Sequence, residues 1–147
     1  EQINLLTYSE ATHCCPTQTL PKLCPGSWVY GTFSTWIGET DKNRGWDRLV
    51  EAKLCYDKVI ESGVLSDEEQ KQAELQLAIC EGSDWFWWFG DYNPSESVHD
   101  FDELYREQLT RLYELLKCEP PENLQHLISV GSHDAEEAGT MRRGQEH

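Results

Sequence analysis

Three tryptophans fall within four positions in Asp84-Trp85-Phe86-Trp87-Trp88, directly behind an acid. That combination suits sugar recognition. A flat ring covers the apolar C–H face of a pyranose, and a carboxylate accepts hydrogen bonds from hydroxyls. A large aromatic side chain buries ~150–250 Å². At ~25 cal/mol/Å², even partial cover contributes before the entropy cost of binding is subtracted. At about 100° per residue on a helix, Trp85, Trp88 and the neighbourhood of Asp84 share a side, while Trp87 points elsewhere. The competing reading is an aromatic core with Asp84 as a cap or ion-pair partner. A second aromatic group, Trp28 and Trp36, lies in the nearly uncharged stretch GSWVYGTFSTWIG at 26–38. Those rings pack in a hairpin or touch a ligand. The candidate substrate-binding residues are thus Asp84, Trp28, Trp85, Trp88, Trp36 and Asp91.

Catalytic signatures are sparse. No GxSxG, HExxH or phosphate-binding loop occurs. Glycoside hydrolysis needs two carboxylates held across the scissile bond. Asp84 and Asp91 are the only acids in the aromatic zone, and one lies in the expected helix while the other lies beyond it. We therefore assign no catalytic residue. His13-Cys14-Cys15 with Cys24 is the one candidate metal cluster, and its spacing matches no common zinc pattern. No cofactor or metal is expected.

The elements that must position the aromatic residues read as helices. Trp46, Leu49, Val50, Leu54 and Ile60 give an apolar stripe over about 43–62, with Asp41 or Asn43 as cap and Gly63 as the stop. Ser66 and Glu69 form a capping-box pattern that opens a second helix. From Ala73 onward this helix is apolar on all sides, which predicts burial, and it is expected to continue through most of 81–88. A turn-rich loop at 90–98 precedes a third helix at about 99–117, carrying Phe101, Leu104, Tyr105, Leu109, Leu112, Leu115 and Leu116. Pro120 and Pro121 end it. The expected fold is a mainly α small helical bundle of three or more helices, with an irregular or short-stranded N-terminal segment. Its divisions are an irregular extension at 1–25, the bundle at 26–121 and a polar tail at 122–147, frayed from 131.

Composition narrows the partners. The 147 residues fit one domain, and 27 acidic against 12 basic side chains leave a net charge of −15. Such a surface repels phosphate backbones and anionic lipids, so neither nucleic acid nor membrane is an expected partner. No 18-residue apolar run is present. The chain opens at Glu1 and its sole methionine is Met141, as expected of a processed or excised piece of a longer protein. The six cysteines contain no CxxC and read as reduced thiols of a cytoplasmic protein, with a disulfide among Cys14, Cys15 and Cys24 as the alternative.

Four blocks in this order and spacing are GSWVYGTFSTWIG, DKNRGWDRLVEAK, EGSDWFWWFGDYNPSES and FDELYREQLTRLYELL followed by a Pro-Pro pair. Together, over about 26–121, the chain resembles the C-terminal helical part of glycoside hydrolase family 57. The resemblance implies a helical bundle that packs on a catalytic barrel lying upstream of Glu1. The barrel would carry the nucleophile and the acid/base. It further implies that Ser83-Asp84-Trp85 and Gly26-Ser27-Trp28 approach the sugar. The implied partners are an α-linked oligo- or polysaccharide and the barrel of the same parent chain, and the implied parent chemistry is retaining. The Phe-Trp-Trp after Asp84-Trp85 departs from the better-studied members and leaves the substrate open. A self-standing carbohydrate-binding module and a helical interaction domain that self-associates through its aromatic face are the alternatives.

Overall fold

The computed structural model describes residues 3–131. The chain is mainly helical, with no strand among the described residues. The segment 26–38 is a series of turns rather than a strand. Within it, the Ser27 hydroxyl donates to Val29 O and accepts from Val29 N. Strand pairing is thereby replaced by local side-chain hydrogen bonds.

Residues 1–25 were expected to be irregular, yet helix α1 spans Tyr8–Cys14. Thr7 and Glu10 form a reciprocal capping box that starts it. The helix buries none of its residues.

Helix α2, Thr40–Ser62, begins three residues earlier than its apolar pattern. Glu39 is the cap, its carboxylate accepting from the amides of Asp41 and Lys42. The expected cap Asn43 instead accepts from Gly38 N through Oδ1. Gly63 closes the helix at φ +66, as its position predicts. The buried face is formed by Lys42, Gly45, Leu49 and Ala52, with Cys55, Tyr56 and Val59 packed beside the core. Val50 and Leu54, assigned to the stripe from sequence, point to solvent. Leu49 and Trp46 of the stripe do face the core, and the rest of the buried face runs through Lys42, Gly45 and Ala52.

Helix α3, Asp67–Cys80, starts on the Ser66–Glu69 capping box. Lys117 Nζ binds Glu69 at 2.8 Å. This ammonium and Ser66 hold the Glu69 carboxyl down to about 2. Ala73, Gln76, Leu77 and Cys80 face inward, whereas Leu75 and Ile79 are exposed. The expected all-round burial is therefore one-sided. The helix also stops short of the aromatic run. Trp85 Nε1 donates to Ile79 O at 2.8 Å, and Gly82 N donates to the same oxygen. That carbonyl is one of the four that a helix end leaves without an internal partner. The aromatic run then forms its own short helix α4, Asp84–Trp88.

Helix α5, Ser95–Leu115, starts directly after Pro94, four residues earlier than expected. Val98, Asp102, Tyr105, Leu109, Leu112 and Tyr113 form its buried face, while Leu104 is exposed. It packs against α2, α3 and α4 and is the central element. Its end is a Schellman arrangement. Cys118 N donates to Tyr113 O, Lys117 N donates to Glu114 O, and Lys117 takes φ +58.

The segment from 122 was expected to be a polar tail, but residues 122–131 belong to the body. A 3-10 turn at Glu122–Gln125 places Leu124 in the core, and Ile128 and Ser129 are buried. Asp102 Oδ1 accepts from Ile128 N (2.6 Å) and Ser129 N (2.9 Å). Asp41 Oδ2 accepts from the Ser129 hydroxyl and Val130 N. Arg44 donates to Ile128 O. Of the fraying predicted over 131–147, all but residue 131 lies outside the described residues.

Candidate functional site: an aromatic wedge held by its carbonyls

Five of the six residues 84–89 are aromatic, and they project on three sides of α4. Phe86 and Phe89 point inward and are fully buried. Phe86 stacks on Trp46 at 3.9 Å with planes 4° apart, and both phenylalanines meet Tyr105 edge-on. Trp85 and Trp88 share a second side and lie on α5. Trp88 stacks on Phe101 at 4.8 Å, and Trp85 sits 5.3 Å from Tyr105. Trp87 takes the third side, where Trp28 stacks on it at 6.0 Å and 14° and Trp36 meets it at 5.7 Å and 53°.

The structure thus brings Trp28 and Trp36 together, on Trp87 rather than on Trp85 or Trp88. Trp28 keeps 70% of its surface open. Trp36 is half-buried and its carbonyl accepts from Trp46 Nε1 at 2.9 Å, which ties the 26–38 loop to α2. Asp84 begins α4 and is exposed. In a helix, residue i lies beside i+3 and i+4, so Asp84 is flanked by Trp87 on one side and Trp88 on the other. Asp91 is exposed past the helix end. Among the described residues, no hydrogen bond or ion pair joins Asp84 to Asp91, nor ties either carboxylate to another group. The pair has no built geometry for proton transfer. Trp85 uses its indole N–H on Ile79 O, so that donor is occupied in structure.

Three residues outside the sequence-derived set fix the wedge. A helix end leaves four carbonyls without partners. Here side chains satisfy them. Lys42 Nζ donates to Phe86 O and to Phe89 O, the second at 2.7 Å. Asn93 Nδ2 donates to Trp87 O at 3.1 Å and Trp88 O at 2.9 Å. Tyr92 presents its ring 4.9 Å from the Lys42 ammonium, and its hydroxyl donates to Trp87 O at 3.4 Å. Lys42 has no exposed surface. Burial pushes its ammonium down to about 8, against the upward pull of the Glu39 and Asp41 carboxylates. A signal for Lys42 is its i, i+3, i+7 relation to Gly45 and Leu49, which puts it on the buried stripe. Trp87 carries no comparable signal, because its partners arrive from a loop some 50 residues upstream.

The six cysteines are free thiols. Cys14 and Cys15 are exposed with Sγ atoms 3.8 Å apart. Among the described residues, no three His, Cys, Asp or Glu side chains converge as metal ligands. None of the described helices is long and apolar enough to cross a membrane. The arrangement leaves the Trp28 ring open and the Asp84 and Asp91 carboxylates exposed. Compared with family models, curated proteins and solved structures, the chain shows no match.

Proposed function

We propose that this chain is a non-catalytic helical segment that lines the carbohydrate cleft of a retaining, α-glycan-active enzyme of the family 57 type. In that reading it is cytoplasmic and packs against the catalytic barrel of the same parent. One observation carries most of the weight. Trp28 lies flat and open on Trp87, on the helix that begins with exposed Asp84. The Lys42 and Asn93 hydrogen bonds fix the backbone beneath these rings, so little ordering cost falls on binding. The roles follow from the chemistry. Trp28 covers a sugar face, Asp84 and Asp91 accept from hydroxyls, and Trp87 and Trp36 back Trp28. Trp85 and Trp88 widen the apolar floor on the α5 side.

A half-site binds weakly alone. Titrating the chain with maltooligosaccharide while following tryptophan fluorescence should give a saturable change with Kd roughly millimolar. Trp28→Ala should remove most of the signal change and Asp84→Asn should weaken binding several-fold. A titration that stays flat with maltooligosaccharide, or one that is unaffected by both substitutions, sinks the proposal. Tight binding by the chain alone would favour the self-standing module instead.

A second reading has its own support. Leu75, Ile79, Val50 and Leu54 are apolar positions left open on α2 and α3. Apolar surface beyond scattered single residues marks interfaces. A helical interaction domain would use these faces, and sedimentation at rising concentration would show self-association if a second copy covers them.

A further inference from the structure

The segment 26–38 carries a surface that the sugar-binding reading uses chiefly at Trp28. No charged residue lies between Lys22 and Glu39, in a chain of net charge −15. Yet the stretch is not buried. Trp28 stands mostly in solvent, and Tyr30 (53%), Phe33 (52%) and Ile37 (49%) are half exposed. Two turns hold these side chains out. In the first, the Ser27 hydroxyl bridges Val29 O and Thr32 O, and Gly26 lies so close against Gly31 O that no Cβ fits. Trp28 and Tyr30 sit on that closed loop, and Tyr30 takes φ +53. A bulky residue adopts this left-handed conformation at a cost that its surroundings must offset. In the second turn, Phe33 O accepts from Trp36 N at 2.9 Å and from Ile37 N at 3.1 Å. Phe33 and Ile37 are then one helical turn apart and neighbours on one side. The amides of Val29, Thr32, Ser34, Trp36, Ile37 and Gly38 all find acceptors. The stacking of Trp28 on Trp87 and the bond from Trp46 Nε1 to Trp36 O fasten the segment to the helices.

We propose that residues 26–38 are a membrane-docking loop that seats on a phosphatidylcholine surface through Trp28, Tyr30, Phe33 and Ile37. Charge and area select this occupant. The net charge of −15 repels anionic lipid and repels a second copy of the chain, whereas a zwitterionic surface carries no such penalty. The three rings, each worth ~150–250 Å² when fully covered, together leave roughly 250–450 Å² open. Ile37 adds less than one ring. The total falls short of the ~800 Å² per partner that a stable protein interface buries. It suits shallow insertion, in which amphipathic rings sit among headgroups and their apolar bodies reach the acyl boundary. An indole face also attracts the trimethylammonium of a phosphocholine headgroup. The satisfied amides matter here, because an unpaired amide is costly to carry into a layer poor in water. Phe33 and Ile37 have no part in the sugar reading, so the two readings can fail separately.

The test uses the full chain and phosphatidylcholine vesicles. Cosedimentation should give partitioning on the order of 10³ M⁻¹ in lipid, below the ~10⁴ M⁻¹ of one myristoyl chain. Phosphatidylcholine brominated on shallow acyl carbons should quench tryptophan emission, and Trp28→Phe should remove most of that quenching. Replacing a third of the lipid by phosphatidylserine should weaken binding several-fold at low salt. Phe33→Ser combined with Ile37→Ser should lower partitioning roughly tenfold. Both side chains are half exposed, so the thermal midpoint should stay within a few degrees of wild type. Quenching by brominated lipid is read on the unaltered chain and decides the matter if the double variant fails to fold. Absence of both cosedimentation and quenching at about 10 mM lipid overturns the proposal. Binding that strengthens with phosphatidylserine, or that a folded double variant retains in full, overturns it equally. A solution dimer that the same double substitution dissolves would assign the loop to a second copy of the chain instead.

Discussion

Lys42 illustrates how one residue can position an aromatic run from a distant part of the chain. Its ammonium has lost all water contact and gains two carbonyls and a ring face in exchange. Removing it orphans Phe86 O and Phe89 O, each at a cost of about 1–3 kcal/mol when no donor replaces it. Lys42→Met keeps the volume and should destabilise the chain by roughly 2–6 kcal/mol at pH 7, read by urea unfolding. The sign of the pH dependence follows from linkage. With its folded value near 8 and the ordinary value at 10.5, the unfolded chain binds a proton in this window that the folded chain has released. Stability therefore rises with pH from about 8 through this term. Cys55 and Cys80, pushed up to about 11 and about 12, act oppositely above pH 9. Differencing wild type against Lys42→Met removes the thiol contribution, and that difference should grow between pH 8 and 10. A flat difference would show that Lys42 keeps its proton in the folded chain.

At the scale of elements, close approach decides more than propensity. Gly45 lies inside α2, where glycine costs ~1 kcal/mol relative to alanine. A Cβ there would meet Phe89 Cε2 at 2.8 Å and Phe86 Cε1 at 3.3 Å. Gly45→Ala should thus destabilise by roughly 1–3 kcal/mol despite the better helix former, because both rings are locked in the core. A gain in thermal midpoint would contradict this packing. The same residues explain what sequence pattern missed. Ser66–Glu69 and Gly63 were legible because capping uses fixed residue types at fixed offsets. The buried side of α2 was legible at Trp46 and Leu49 and missed at Lys42 and Gly45, which carry no apolar signal. The expected continuous helix through 81–88 breaks because Trp85 turns back to bond Ile79 O, a choice no periodicity encodes. For the aromatic cluster, the shared side of Trp85 and Trp88 followed from helical spacing. The meeting of Trp28 with Trp87 depended on a loop, whose path has no period to read.

For the whole molecule, the two ends of the described chain are unlike. Residues 3–25 bury almost nothing. The segment 122–131, expected to be the start of a polar tail, is tied to α2 by Asp41 and Arg44 and to α5 by Asp102. Asp102 has no exposed surface, accepts two amides, and pairs with Arg106 Nε at 2.8 Å. Its removal leaves those amides and a guanidinium without their partner. Asp102→Ala should cost about 3–5 kcal/mol and should expose the 128–130 amides to exchange earlier than those of α3. Equal exchange in both regions would mean that the strap does not depend on this carboxylate. The strap was hidden in the sequence because its anchors are acids, which pattern reading assigns to water.

The indoles also furnish an intrinsic optical probe. Trp46 lies face to face with Phe86, whereas Trp28 is open to solvent. Small collisional quenchers should therefore extinguish the red-edge emission of Trp28 first and leave a blue-shifted remainder from the half-buried indoles, Trp46 among them. The open indole and the half-buried ones can then be followed separately, in one cuvette and without a label.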